Sequence, residues 1–234
     1  MCTIVYYILV NCNLVNAAKS VLPELPSPHQ LWYFQFRGRA EPIRLLLTCA
    51  GVKFEDYQFT MDQWPTIKPT LPGGRVPLLD VTGPDGKLRR YQESMAIARL
   101  LARQFKMMGE TDEEYYLIER IIGECEDLYR EVYTIFRTPQ GEKEAKIKEF
   151  KENNGPTLLK LVSESLESSG GKHVAGNRIT LGDLFLFTTL THVMETVPGF
   201  LEQKFPKLHE FHKSLPTSCS RLSEYLKKRA KTPF

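Results

Sequence analysis

Cysteine is sparse in this chain, and its placement excludes more than it offers. Cys2, Cys12, Cys49, Cys125 and Cys219 are odd in number, scattered, and never spaced as C-x-x-C. That pattern argues against a disulfide framework, a local thiol redox motif and a zinc site, and for a reducing compartment. The five histidines form no metal signature. His209 and His212 stand three apart and could share a helix face, but without a carboxylate or thiol beside them they read as a satisfied surface pair. Long apolar runs are missing too: residues 4–10 (IVYYILV) fall well short of the roughly 20 residues a membrane span needs. Net charge is +3 with no extended run of Lys or Arg, which excludes an electrostatic patch for nucleic acid or membrane. No repeat and no low-complexity segment is present.

What is there is an ordinary globular composition, 42% hydrophobic and 25% charged over 234 residues, enough for one large domain or two modest ones. Residues 1–30 read differently from the rest. The apolar run has the length of a signal-peptide core, yet no Lys or Arg precedes it, so the expectation is a cytoplasmic protein, with secretion the lesser alternative. Pro23, Pro26 and Pro28 mark a flexible lead-in, and folded structure is expected from Leu31.

Residues 31–44 (LWYFQFRGRAEPIR) set an aromatic strand against a helix start, with Tyr33 near the strand's end and Arg39 at the turn. Unpaired N–H groups, the positive end of the helix dipole and a phenolic donor together favour an anion there. Ile43, Leu46 and Leu47 continue at helical spacing until Gly51, which suits a left-handed cap. Phe54, Tyr57 and Phe59 suit a second strand, parallel to the first because a helix separates them. Residues 61–72 hold three prolines and read as an irregular exposed segment carrying Trp64 and Lys68. Val76-Pro77 enters a short strand at 78–81; a cis bond there would turn the Val76 backbone outward to pair with an extended ligand. A turn at 82–86 returns the chain antiparallel over 87–91. A helix follows, with Ser94 its default N-cap and Glu93 a carboxylate that complements the dipole. This order is that of a thioredoxin-like domain, over residues 31–106.

Beyond a linker at 105–111 the periodicity is helical. Ile118, Ile121, Ile122, Cys125, Leu128 and Val132 mark one face of a long helix, with Glu124, Glu126, Asp127 and Glu131 opposite. Residues 143–166 form a second helical stretch, broken at Asn154-Gly155-Pro156. Thr180 and Asp183 have the spacing of a capping box, stapled by Ile179 and Leu184. The apolar helix they open belongs in the middle of an all-α domain, residues 112–234. Cys49 and Cys125 read as core residues.

A thioredoxin-like domain with tyrosine in place of cysteine at its first strand–helix turn, followed by an all-α domain, resembles the cytosolic glutathione transferases. Four runs carry the resemblance to the sigma class of flatworms: Tyr-Phe before RGRAE, WPTIKPTLPGGRVP at 64–77, ESMAIAR at 93–99, and MMGETDEEYY at 107–116. The resemblance implies a homodimer that binds glutathione and needs no metal. It implies Tyr33 as the donor to the glutathione sulfur with Arg39 in support, Trp64 and Lys68 on the glycyl carboxylate, and the Val76 backbone, beside Pro77, on the cysteinyl unit. Glu93 and Ser94 would take the γ-glutamyl end, with Asp127 reaching it from the second subunit. The acceptor, an apolar electrophile or a prostanoid, would lie near Phe34 and Phe36, and isomerisation of prostaglandin H to prostaglandin D is a second implied activity. The chain departs from the pattern in its first thirty residues and in Gln35-Phe36, where some flatworm relatives carry Asp-Gly. A non-catalytic carrier or a crystallin-like structural protein is the alternative on the same fold.

Overall fold

The computed structural model describes residues 29–232 and 234; the expectations for residues 1–28 therefore lie outside the described residues. In chain order the elements are β1 (His29–Phe34), α1 (Glu41–Ala50), β2 (Glu55–Phe59), α2 (Trp64–Ile67), β3 (Leu78–Thr82), β4 (Leu88–Gln92), α3 (Ser94–Gln104), α4 (Asp112–Arg137), α5 (Gln140–Glu152), α6 (Asn154–Ser168), α7 (Leu181–Thr196), α8 (Phe200–Lys204), α9 (Pro206–Ser214) and α10 (Ser220–Lys228). The first strand begins at His29, two residues ahead of the expected start at Leu31.

The four strands form one mixed sheet in the order β2-β1-β3-β4. β1 and β2 run parallel, with Tyr33 opposite Gln58, while β3 is antiparallel to both β1 and β4. Side chains alternate across β1. Leu31 is fully buried in the core, and Trp32 turns to the other face, its ring 4.2 Å from that of Tyr57. Tyr33 follows on the Leu31 side and packs against the core. α1 ends as expected at Gly51, φ 71°, whose N–H closes on the Leu47 and Thr48 carbonyls. The Val76-Pro77 bond is cis.

In the helical domain α4 is capped by Thr111, which accepts from the Glu114 N–H at 3.1 Å, and it buries the apolar face read from its periodicity. α7 is the central helix, buried from Leu181 through Leu190. Its capping box forms: the Asp183 carboxylate accepts from the Thr180 N–H at 2.7 Å and also from the Val174 N–H at 2.9 Å. A buried carboxylate is tolerable only with such donors around it. The two domains meet over a charged seam. Glu41, 1% exposed, accepts from Arg229 at 2.5 Å and from Tyr225 at 3.3 Å, and Leu181 donates to the Met107 carbonyl at 2.9 Å.

Two local expectations change, and one short helix is unforeseen. The second helical stretch starts earlier, at Gln140, and breaks at Asn153 between α5 and α6. Residues 200–204 form a separate short helix before α9. His212 is no surface residue: it is half-buried, stacked on Phe187 at 4.4 Å and bonded to Thr191 at 2.8 Å.

Candidate functional site

The end of β1 delivers Tyr33 into the turn at Gly38–Ala40, where the Arg39 N–H donates to the phenolic oxygen at 3.2 Å. Gly38 makes this approach possible. Its φ is +39°, and a Cβ there would stand 2.7 Å from the Tyr33 hydroxyl, so only glycine leaves the space open. Burial pushes the Tyr33 pKa up, against the Arg39 backbone hydrogen bond and the charges of Arg44 and Arg39. The hydroxyl therefore keeps its proton and has it to donate.

The Arg39 side chain goes elsewhere. Its guanidinium reaches α4, 3.3 Å from Glu126, and lies over the Tyr129 ring at 5.2 Å. Glu126 was legible only as part of the polar face of α4; a contact across 87 residues of sequence leaves no local signal. Arg44, 2% exposed, sits over the Tyr33 ring at 5.9 Å and is anchored by Asp56 at 2.8 Å and the Phe36 carbonyl at 2.8 Å.

Beside this turn opens a cleft of about 720 Å³. Of the residues singled out from sequence, Phe34, Arg39, Trp64, Val76, Pro77, Glu93 and Ser94 line it, while Tyr33 stands behind that lining, its hydroxyl bonded to the Arg39 N–H. Trp64 is set by aromatic packing, parallel to Phe59 at 5.6 Å and edge-on to Phe34 at 4.9 Å. Ser94 is not the N-cap of α3 but its first helical residue, and it is buried. Glu93 holds the cap position with φ 67°, an uncommon conformation for a residue with a Cβ, and its carboxylate faces Arg75 at 3.5 Å, both exposed. The cleft thus meets the N-terminus of an eleven-residue helix, where N–H groups are free to hold an anion. Lys68 is exposed and does not line the cleft; its stem crosses Gly74, 3.0 Å from where a Cβ would stand. Arg75 and Gln92 line the cleft unforeseen, Gln92 donating to the Pro72 carbonyl at 2.6 Å.

Asp127 and Phe36, like Lys68, stand off the cleft of this chain. Asp127 is exposed on α4 and ion-paired with Arg130 at 2.5 Å, apart from the cleft. Phe36 contacts Phe34 at 6.2 Å between ring centres but lines neither the cleft nor the small void of about 20 Å³ between Pro42 and Met95 of one domain and Tyr129 and Phe185 of the other. Phe234 is buried, stacked on His192 at 4.0 Å and on Phe136 at 4.7 Å. Among the described residues no group of three His, Cys, Asp or Glu could hold a metal ion, and no helix is long and apolar enough to cross a membrane.

Fold and cleft together define a thioredoxin-like domain with a small-molecule site, completed by an all-α domain. A family model described as "Glutathione S-transferase, C-terminal domain" matches residues 126–229. Over 202 residues the chain is 46% identical to the glutathione S-transferase class-mu 28 kDa isozyme of Schistosoma mansoni, spanning 86% of this chain and 96% of that protein. It is 32% identical over 204 residues to the hematopoietic prostaglandin D synthase of Gallus gallus, spanning 87% and 98%. The solved structure of the Fasciola hepatica sigma class GST superposes with a TM-score of 0.88 at 98% identity, over 89% of this chain and 99% of that one. The chain belongs to the glutathione transferase family, and its likeness to that structure sets it with the sigma class.

Proposed function

We propose that Tyr33 donates a hydrogen bond to the sulfur of glutathione in the cleft and holds it as thiolate for attack on an apolar electrophile. The observation that carries this reading is the phenol kept protonated by burial at the end of β1, its oxygen fixed by the Arg39 N–H. A free thiol titrates near 8.5, and lowering that by roughly two units takes about 2.7 kcal/mol of preferential thiolate stabilisation. One charge-assisted hydrogen bond with guanidinium groups nearby is of that size.

The residues in and beside the cleft suit the rest of the tripeptide. Trp64 and Lys68 take the glycyl carboxylate, and the Val76 backbone, beside Pro77, pairs with the cysteinyl unit. Glu93, Ser94 and the free N–H groups of α3 receive the γ-glutamyl end. In a homodimer, Asp127 of the partner subunit adds a carboxylate for the γ-glutamyl ammonium. Likeness to a prostaglandin D synthase supports a prostanoid as one acceptor, with isomerisation of prostaglandin H to prostaglandin D as a second activity in a cytoplasmic setting.

The test is the initial rate of conjugation to an activated aryl halide, with glutathione binding measured by calorimetry on the same sample. Turnover with binding supports the reading; binding without turnover favours a carrier or crystallin-like role.

A further inference from the structure

A second cleft, of about 630 Å³, shares no lining residue with the first. Lys106, Lys172, Arg178 and Arg221 line it. Arg178 is committed to Glu110 at 3.2 Å and Glu114 at 3.3 Å. Lys106 and Lys172 are exposed and carry no ion pair among the described residues, so this cleft presents uncompensated positive charge.

Two sulfurs open onto the same cleft, both half-buried. Cys49 lies in the last turn of α1, and Cys219 holds the N-cap position of α10. Their segments are tied by Arg221, which donates to the Cys49 carbonyl at 2.8 Å and packs against Gly51. Burial first, then the neighbouring Cys219, pushes the Cys49 pKa up. Cys219 stands at a helix N-terminus and Cys49 at a helix C-terminus, so the helix dipoles favour Cys219 as the attacking sulfur.

We propose that Cys49 and Cys219, inside this cationic cleft, form a site of thiol–disulfide exchange with a small anionic disulfide. The choice of glutathione disulfide as that molecule rests on the glutathione reading above; the pair and the charge do not. Cys219, as thiolate, attacks one sulfur of the disulfide. The new bond joins Cys219 to that half, the original S–S bond breaks, and the other half leaves as a thiolate that takes up a proton. Cys49 then gives its proton to solvent and displaces the second half, forming the Cys49–Cys219 bond. The protein dithiol loses two electrons and two protons, the small disulfide gains both, and two thiols are released.

The experiment uses the full chain with Cys2→Ser and Cys12→Ser, incubated with glutathione disulfide, acid-quenched, and read by intact mass and peptide mapping. The expected result is loss of two protein thiols, no lasting adduct, and a linked peptide pair joining residues 49 and 219. Cys49→Ser should instead retain a glutathione adduct on Cys219, and Cys219→Ser should form neither product. Lys106→Ala with Lys172→Ala should slow the reaction roughly tenfold with glutathione disulfide and leave its rate with the neutral 2-hydroxyethyl disulfide unchanged. A persistent adduct without the bridge in the otherwise native pair, reaction at Cys125 instead, or equal charge dependence for the two probes would overturn the proposal. Tyr33→Phe should form the bridge like the parent, so failure here and failure of the transferase reading are separable.

Discussion

At the scale of single residues, the site depends on a glycine as much as on its phenol. Gly38 is left-handed and would place any Cβ 2.7 Å from the Tyr33 hydroxyl. Gly38→Ala should cut conjugation by roughly tenfold or more through a displaced donor, with glutathione binding measured alongside to separate the two effects. Tyr33 and Arg39 were legible in sequence because a strand–helix junction is a local pattern. Which part of Arg39 touches which partner was not: the backbone N–H serves Tyr33 and the guanidinium serves Glu126, a division that only the long-range fold decides. His192 was not legible either. It is fully buried, with neither ring nitrogen hydrogen-bonded among the described residues, and burial, then the charges of Arg37 and Arg229, lower its pKa to about 3. As pH falls below the ordinary histidine value of about 6.5, the unfolded chain binds a proton that the folded chain refuses. Folding then loses about 1.4 kcal/mol per pH unit, down to pH about 3. His212, lowered to about 4 chiefly by burial, adds to the same trend. His192→Phe should flatten the fall in urea midpoint between pH 6.5 and 5; an unchanged slope would remove His192 from the acid limb.

At the scale of elements, the helix with the most explicit sequence signal is also the one whose cap is best satisfied. The Thr180–Asp183 box was readable because its spacing is fixed by helix geometry alone. Its third partner, the Val174 N–H, was not readable, since the loop before the helix has no pattern. Asp183→Ala leaves buried donors at Thr180 and Val174 without an acceptor, and should cost about 3 kcal/mol, read as a fall in Tm. The start of α3 went the other way. Serine in the sequence Glu-Ser read as a cap, yet the chain turns at Glu93 with φ 67° and carries Ser94 into the first helical turn. Placing the helix start at the cleft prevailed over local capping preference, a conflict expected where a site is built.

For the whole molecule, the sequence pattern was sufficient for the two domains and their order, because hydrophobic period switches from strand to helix between them. It could not show the seam, where Glu41 gathers Arg44, Arg229 and Tyr225, nor the cleft shared by Cys49 and Cys219, whose distance in sequence hides them from any spacing rule. Asp127 belongs to this scale as well. It is exposed and away from the cleft of its own chain, so its proposed contact requires a second copy. Light scattering at micromolar protein should give the dimer mass, and Asp127→Ala should weaken glutathione binding; a monomer would take Asp127 out of the site.

The central claim is that Tyr33 holds the bound sulfur as thiolate, and the most direct test is the pH profile of kcat/KM for conjugation in the parent and in Tyr33→Phe. The parent should reach its plateau roughly two units below the free-thiol value of about 8.5. In Tyr33→Phe the profile should move up toward that value, and the rate at neutral pH should fall roughly 10²-fold while glutathione still binds. Coincident profiles and equal rates would contradict the account, because the thiolate would then be stabilised by groups other than the phenol.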